Sequence, residues 1–270
     1  MEELIRGTEV ETSKTFSGAN GFSSFFGVVK KGHSECGDSA FAYSDKDKAV
    51  VAVFDGVSGE GGAANASSRA AEAILRSLKP LKKVAESDVK KALKAARDGV
   101  DFGYTTAIVL CLRKDGTFIV AGVGDSPAYG MGRDGKASLL LPLARIVGDG
   151  DSILKFFHYR NIVSSVIGRT DSEIQVAMRS GKLESGESII IASDGLSDNL
   201  YVKTAEGYVK DSSGADDIGE IAGGETGPEA AVSALLAEVG RRISVGKVER
   251  RGSLLVPKED DVAIAAIQKL

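Results

Sequence analysis

The sequence predicts an α+β fold in which antiparallel sheets carry helices on their outer sides. Three observations lead there. Strand-like runs come in consecutive pairs joined by tight-turn dipeptides. Several of those runs are short, apolar throughout, and read as buried strands. Helical periodicity appears in a pair of segments and then in single ones, not once after every strand as a parallel sheet would need.

The elements follow in order. Residues 1–23 are polar, contain Ser and Gly, and have no clear period; they read as an N-terminal arm or a first edge strand. From Ser24 the pattern turns to strand, over 25–30, 39–43 and 48–54, with a hairpin turn at 45–48. A glycine-rich loop, 56–62, leads into a helix over about 65–78, with Asn65 or Ser67 as its cap and Ile74, Leu75 and Leu78 on one face. A second helix runs from Ser87, a good N-cap, to about Val100.

Strand-like runs return at 104–113, 117–123, 128–132 and 137–141. Asp115-Gly116 and Asp134-Gly135 lie between runs as hairpin signatures. Residues 142–180 form a long mixed stretch with one short helix over 152–159; connections of that length in compact domains are functional or mobile. A strand at 188–192 follows. Residues 203–227, polar and glycine-rich, predict no clear element. An amphipathic helix spans 229–243, with Val232, Leu235, Leu236, Val239 and Ile243 on one stripe, and a strand at 262–267 closes the chain.

Composition narrows the classes. The chain has 270 residues, 43% of them apolar and 27% charged, which fits one large domain or two small ones with an ample core. A net charge of −4 gives no invitation to nucleic acid or to an anionic membrane. No stretch is apolar enough to span a bilayer, and the acidic N-terminus does not read as a signal peptide. Two cysteines, Cys36 and Cys111, make neither a disulfide framework nor a zinc site, and the expectation is reduced thiols in a cytoplasmic protein.

The chemistry lies in the acids at the ends of the apolar runs. Asp55 follows 50–54, Asp125 follows 118–123 and Gly124, and Asp194 follows 188–192 and Ser193. Asp260 and Asp261 open the last run. A carboxylate at a strand mouth sits on a rigid element and faces the loops. Brought to one side of a sheet, these acids would form a cage of hard oxygen ligands suited to Mg²⁺ or Mn²⁺ and poorly suited to zinc. That points to a metal-dependent, phosphoryl-hydrolysing enzyme. Taken singly, an Asp-Gly pair after a strand is a turn signal. Glu60 stands where a Gly-x-Ser-x-Gly nucleophile elbow needs its last glycine, and no Gly-Lys-Ser/Thr follows the glycines at 59, 61 and 62, so neither a serine nucleophile nor a nucleotide P-loop is indicated.

Several motifs occur together in one order: Phe54-Asp55-Gly56-Val57-Ser58-Gly59, Gly103-Tyr104-Thr105-Thr106-Ala107, Val123-Gly124-Asp125-Ser126-Pro127-Ala128-Tyr129, Ala192-Ser193-Asp194-Gly195-Leu196-Ser197-Asp198 and Asp260-Asp261-Val262. In that order they resemble the PP2C (PPM) family of metal-dependent protein serine/threonine phosphatases, over about residues 24–268. His158-Tyr159-Arg160-Asn161 with Ile167-Gly168 resembles the family's flap, and 183–187 also matches.

The resemblance implies a β-sandwich of two antiparallel sheets flanked by helices on both faces, with residues 1–23 an arm, 24–270 one phosphatase domain and a flap at about 142–180. It implies hydrolysis of phosphoserine and phosphothreonine in proteins by a hydroxide bridging two Mn²⁺ or Mg²⁺ ions. Carried over by position, Asp55 bridges the ions, the Gly56 carbonyl binds one, and Asp194 and Asp260 bind the other. Asp125 belongs to a third, weaker site. Asp38 orders water at the metals, and Asp261 supports Asp260 or such a water by hydrogen bonding. Asp198 and His158 read as structural. The partners implied are phosphorylated proteins and a cognate serine/threonine kinase.

The first motif departs from the family. In His33-Ser34-Glu35-Cys36-Gly37-Asp38, His33 stands where the family has a phosphate-binding arginine, and Gly37 where a supporting side chain is expected. Histidine cannot make the bidentate fork of a guanidinium. Glu35 is a substitute ligand if the strand bulges, and Val57 leaves no histidine beside the metals. These departures motivate a rival reading, a catalytically weak regulatory or binding module on the same fold. A hydrolase of small phosphates is a third.

Overall fold

A computed structural model describes residues 2–9, 13–19, 22–29, 35–57, 61–168, 173–246, 248–250, 253–255 and 257–269. His33 lies outside them. The chain lays down β1 (Glu2–Ile5), β2 (Ser13–Ala19), β3 (Phe22–Val29), β4 (Ser39–Ser44) and β5 (Lys48–Phe54), then helices α1 (Ala63–Leu78) and α2 (Glu86–Gly99). Next come β6 (Tyr104–Thr105), β7 (Ala107–Arg113), β8 (Thr117–Val123), β9 (Ala128–Met131), β10 (Ala137–Leu139) and α3 (Ile153–Tyr159). The rest are β11 (Ile167–Gly168), β12 (Ala177–Lys182), β13 (Ser188–Ala192), α4 (Asp194–Leu200), β14 (Val202–Lys203), β15 (Val209–Asp211), α5 (Ala215–Ala222), α6 (Pro228–Val245), β16 (Val248–Arg250), β17 (Ser253–Leu255) and β18 (Val262–Lys269).

Two six-stranded sheets form, ordered β1-β4-β5-β7-β8-β12 and β10-β9-β13-β18-β3-β2. The pairings within both are antiparallel. The sheets face each other, α1 and α2 cover the outer side of the first, and α4, α5 and α6 cover the outer side of the second. The layering explains why the central strands are apolar at every position. In β5, Ala49, Val51 and Val53 point between the sheets, whereas Val50, Ala52 and Phe54 point at α1 and α2. In β18, Ala263, Ala265 and Ile267 face inward and Val262, Ile264 and Ala266 face the other helix layer. A strand buried on both faces has no solvent side to carry polar residues.

The N-terminal residues supply an edge strand to each sheet, β1 beside β4 and β2 beside β3. The helix starts differ from the sequence expectation. Gly62, at φ 77°, is the N-cap of α1, and Ser67 lies inside the helix, its hydroxyl bound to the Ala64 carbonyl and to Ser39. The N-cap of α2 is Ala85, whose N–H donates to the Asp88 carboxylate at 3.0 Å; the acid three residues on does the capping, and Ser87 does not. The run 104–113 is divided at Thr106 into β6 and β7, although the Thr106 N–H still bonds the Asp55 carbonyl at 2.8 Å in the register of the β5–β7 pairing. α5 falls in the stretch 203–227, where no element was expected; its first turn carries Asp216 and Asp217, and Ile218 and Ala222 pack into the core. Among the described residues no helix is long and apolar enough to cross a membrane.

Candidate active site

Antiparallel register brings the acids together. Ser39 pairs with Phe54, Val53 with Ile108, and Ala107 with Val123, so the start of β4 and the ends of β5 and β8 share one end of the first sheet. Ala192 pairs with Ile264 in the second sheet, putting the end of β13 beside the start of β18. Asp38, Asp55, Asp125, Asp194, Asp260 and Asp261 sit in the loops at these ends. A cavity of about 260 Å³ opens there, lined in part by Asp55, Gly56, Asp194, Lys258 and Asp260. A larger groove of about 850 Å³ lies away from the acids, beside β1 and the end of α1.

The backbone around Asp55 is tightly held. Thr105 Oγ1 donates to the Asp55 carbonyl at 2.8 Å, and the Asp55 N–H donates to Thr106 Oγ1 at 3.3 Å. The Asp194 N–H, at the first turn of α4, donates to Asp55 Oδ2 at 3.4 Å. Gly56 has to be glycine, since a Cβ there would lie 2.5 Å from the Gly37 carbonyl oxygen. A Cβ on Gly37 would lie 3.1 Å from the Gly56 carbonyl oxygen, a tight but lesser contact. The Gly37 N–H donates to Asp261 Oδ2 at 2.6 Å, so backbone takes the place of the supporting side chain expected from the motif. The Asp261 N–H in turn holds Asp260 Oδ1 at 2.9 Å. Glu35, the substitute ligand considered from sequence, is exposed.

The acids are buried together, and burial works against their charge. Burial and then the charge of Asp194 hold the Asp55 carboxyl well above the usual carboxylate range. Burial and the charge of Asp261 do the same to Asp38, against a hydrogen bond from Ser193. Burial and Asp194 push Asp125 up to about 7. Asp194 goes the other way: burial raises it, but the ammonium of Lys258 outweighs burial and holds it below the usual range. Asp260 is raised by burial and Asp194, against the same lysine.

Lys258 is one residue that reading the sequence missed. Its Nζ lies 2.7 Å from Asp194 Oδ2, 2.7 Å from Asp260 Oδ2 and 3.3 Å from Asp198 Oδ2. Two others are Arg145 and Arg160. Arg145 contacts Asp198 at 3.1 Å and Ser197 Oγ at 3.1 Å, and Arg160 approaches Asp198 at 3.9 Å. Asp198, wholly buried, is thus the anchor of an ion network. The spacing Lys-x-Asp before the last strand was the available signal for Lys258, and Arg160 stood in the flap motif; nothing local marks Arg145.

Both arginines come from the 142–180 segment. Phe156 of α3 packs on Tyr201 just beyond α4, ring centroids 5.1 Å apart, and Asn161 and Val163 line the cavity. The outward side of the segment is apolar and open, with Leu154 78% and Ile146 52% exposed.

The donor set suits a hard divalent cation. Asp38 Oδ2 and both carboxylate oxygens of Asp125 are buried without a hydrogen-bond partner among the described residues, and a cation already stands between Asp194 and Asp260 in the form of an ammonium. No three acidic, histidine or cysteine side chains among the described residues are drawn up as a ready metal cage. With Lys258 where it stands, Asp194 and Asp260 are turned to an ammonium.

The chain is similar to known proteins in sequence family and in fold. The family model for protein phosphatase 2C matches residues 30–216. No curated protein matches the sequence. Among solved structures, the chain is similar to RsbX in complex with magnesium, at 16% identity and TM-score 0.58, over 94% of this chain and 99% of that one. It is similar to the PPM Ser-Thr phosphatase MsPP of Mycobacterium smegmatis in complex with cacodylate, at 15% identity and TM-score 0.60, over 96% and 98%. The S. agalactiae serine/threonine phosphatase matches over 100% of both chains at 16% identity and TM-score 0.61. These structures share the fold, and the family model covers well over half of the sequence. The chain belongs to the protein phosphatase 2C family, the metal-dependent protein serine/threonine phosphatases.

Proposed function

We propose that the acidic cavity hydrolyses phosphoserine and phosphothreonine in proteins with Mn²⁺ or Mg²⁺ held by Asp55, the Gly56 carbonyl, Asp194 and Asp260, and with a third ion at Asp125. The observation that carries this is the convergence of strand-end carboxylates from both sheets on one cavity, with several of them pushed up by burial and mutual repulsion. Such a set calls for cations. Divalent ions bound there supply water activation near neutral pH and positive charge for the phosphoryl oxygens.

The chain's own residues do the positioning. Thr105 and Thr106 fix the Asp55 backbone, so the carboxylate meets its task without reorganising. Asp38 presents Oδ2 to a water, steadied by Ser193. Asp261 ties the Asp260 loop to the loop carrying Gly37. Arg145 and Arg160 hold the 142–180 segment against α4, and Asn161 and Val163 wall the cavity. His33 takes the place of the family's phosphate-binding arginine in the first motif, and as imidazolium it would bind phosphate better than as the neutral ring.

The substrates are phosphorylated proteins, and a serine/threonine kinase in the same cytoplasm is the partner that supplies them. The test is phosphate release from phosphothreonine and phosphoserine peptides and from a small aryl phosphate, with Mn²⁺, with Mg²⁺ and with a chelator. Metal-dependent turnover of the peptides is expected. Turnover of the aryl phosphate alone would replace the protein substrate with a small phosphate, and no turnover with either ion would sink the reading.

A further inference from the structure

We propose that Lys258 is a tethered cation that fills the space between Asp194 and Asp260, and that a divalent ion can bind this pair only by displacing it. The inference rests on the metal reading given under Proposed function and deepens it.

The geometry carries the argument. An ammonium has three N–H donors, and Lys258 Nζ has three carboxylate oxygens within 3.3 Å: Asp194 Oδ2, Asp260 Oδ2 and Asp198 Oδ2. Asp194 Oδ2 and Asp260 Oδ2 lie at 2.7 Å, and Asp198 Oδ2 is an ion-pair neighbour at 3.3 Å without a hydrogen bond; the head is withdrawn from water, with the side chain 14% exposed. A divalent ion on the same oxygens would need metal–oxygen distances of about 2.0–2.1 Å for Mg²⁺, which would bring it against a like charge. The two cations therefore exclude each other.

The tether is fixed at its base. The Lys258 N–H donates to Asn199 Oδ1 at 2.9 Å, and Asn199 Nδ2 donates to the Lys258 carbonyl at 3.1 Å. Asn199 also donates to the Gly195 carbonyl at 2.8 Å, so one amide locks the lysine backbone to the helix that Asp194 opens. The backbone stays and only the four-carbon stem can move. Lys258 already lines the cavity, which gives the displaced head a polar place to go.

The consequence is a threshold. One metal subsite, on the Asp55 and Gly56 side, faces no internal competitor among the described residues, and the Asp194–Asp260 subsite does. Mn²⁺ should then bind in two unequal steps, with Lys258 weakening the second.

Two experiments on the full chain test this. Isothermal titration with Mn²⁺ compares wild type with Lys258→Met, Lys258→Gln and Lys258→Arg. The two neutral variants should tighten the weaker step by about ten-fold or more, as expected for removing a charge in desolvated contact, and the arginine variant should not. Separately, wild type is treated with an acetylating reagent and read by peptide mass spectrometry. Lys258 should be protected without metal and labelled several-fold faster in saturating Mn²⁺. This second measurement decides the matter should a variant fail to fold. Identical isotherms for wild type and both neutral variants, or labelling of Lys258 that ignores Mn²⁺, would overturn the inference while leaving the metal site standing. Absence of Mn²⁺ binding in every protein would overturn both.

Discussion

The acids around the cavity fall into two groups that meet burial differently. On one side, Asp194 and Asp198 lie against Lys258, Arg145 and Arg160. On the other, Asp38, Asp55 and Asp125 are buried with no ion pair among the described residues, and their carboxyls are pushed up. Asp260 stands between: it touches Lys258 at 2.7 Å, yet burial and Asp194 still hold it up, because one ammonium is shared among several carboxylates. The lesson is that Asp198, paired with two arginines, is part of the scaffold, while Asp194 holds an exchangeable ammonium and the uncompensated side is stored repulsion that a cation can relieve.

The two sides should respond to mutation in opposite ways. The largest effect is expected at Asp198. Replacing it with Ala leaves Arg145, only 2% exposed in its side chain, without its carboxylate. The cost should be about 3–5 kcal/mol in urea unfolding of the metal-free protein. A loss below 1 kcal/mol would mean that the network does not hold the 142–180 segment.

Asp55→Asn should do the reverse. It removes an uncompensated charge, so metal-free stability should rise, while Mn²⁺-dependent phosphopeptide hydrolysis should fall by about 10²–10³-fold or more. Activity within ten-fold of wild type would remove Asp55 from the chemistry.

A third test uses pH. Asp125 is raised, so the folded protein binds its proton more tightly than the unfolded chain does. The cost is absent below the unfolded value near 3.8, grows as pH rises, and is complete above about 7. Metal-free stability should therefore decline through that window, and Asp125→Asn should flatten the decline. The full shift bounds the effect at about 4 kcal/mol, and about 2 kcal/mol is expected because Arg145 loses an attractive partner in the same change. Asp194 has the opposite sign: its contribution is present above 3.8 and is lost as pH falls through its lowered value. A pH profile of Asp125→Asn parallel to wild type would show that Asp125 carries no such burden.

The smallest effect is expected at Leu154, on the open side of α3. Leu154→Ala should change stability by less than about 0.5 kcal/mol. It should still shift the ranking of phosphopeptides by a few-fold in kcat/KM, since the segment walls the cavity. An unchanged ranking would make that face irrelevant to substrate.

The sequence by itself determined the central strands, most of the helix positions and the fold class, but not the edge strands β2 and β12. It could do so because β5, β13 and β18 are buried on both faces and read as unbroken apolar runs, and because turn dipeptides punctuate them. It also marked carboxylates at strand mouths, and antiparallel pairing puts those mouths at one end of the sheets, where Asp55, Asp194 and Asp260 line one cavity. The true caps at Gly62 and Ala85 were less legible, because one acts through its backbone conformation and the other through an acid three residues on. What only the tertiary structure decided is which acids have a counter-charge. Arg145 lies 53 residues from Asp198, and Lys258 lies 64 from Asp194. Long side chains reach partners by the packing of whole layers. Only the Lys258–Asp260 pair has a local spacing behind it, so the rest of the charge distribution around the cavity became visible only when the two sheets were brought together.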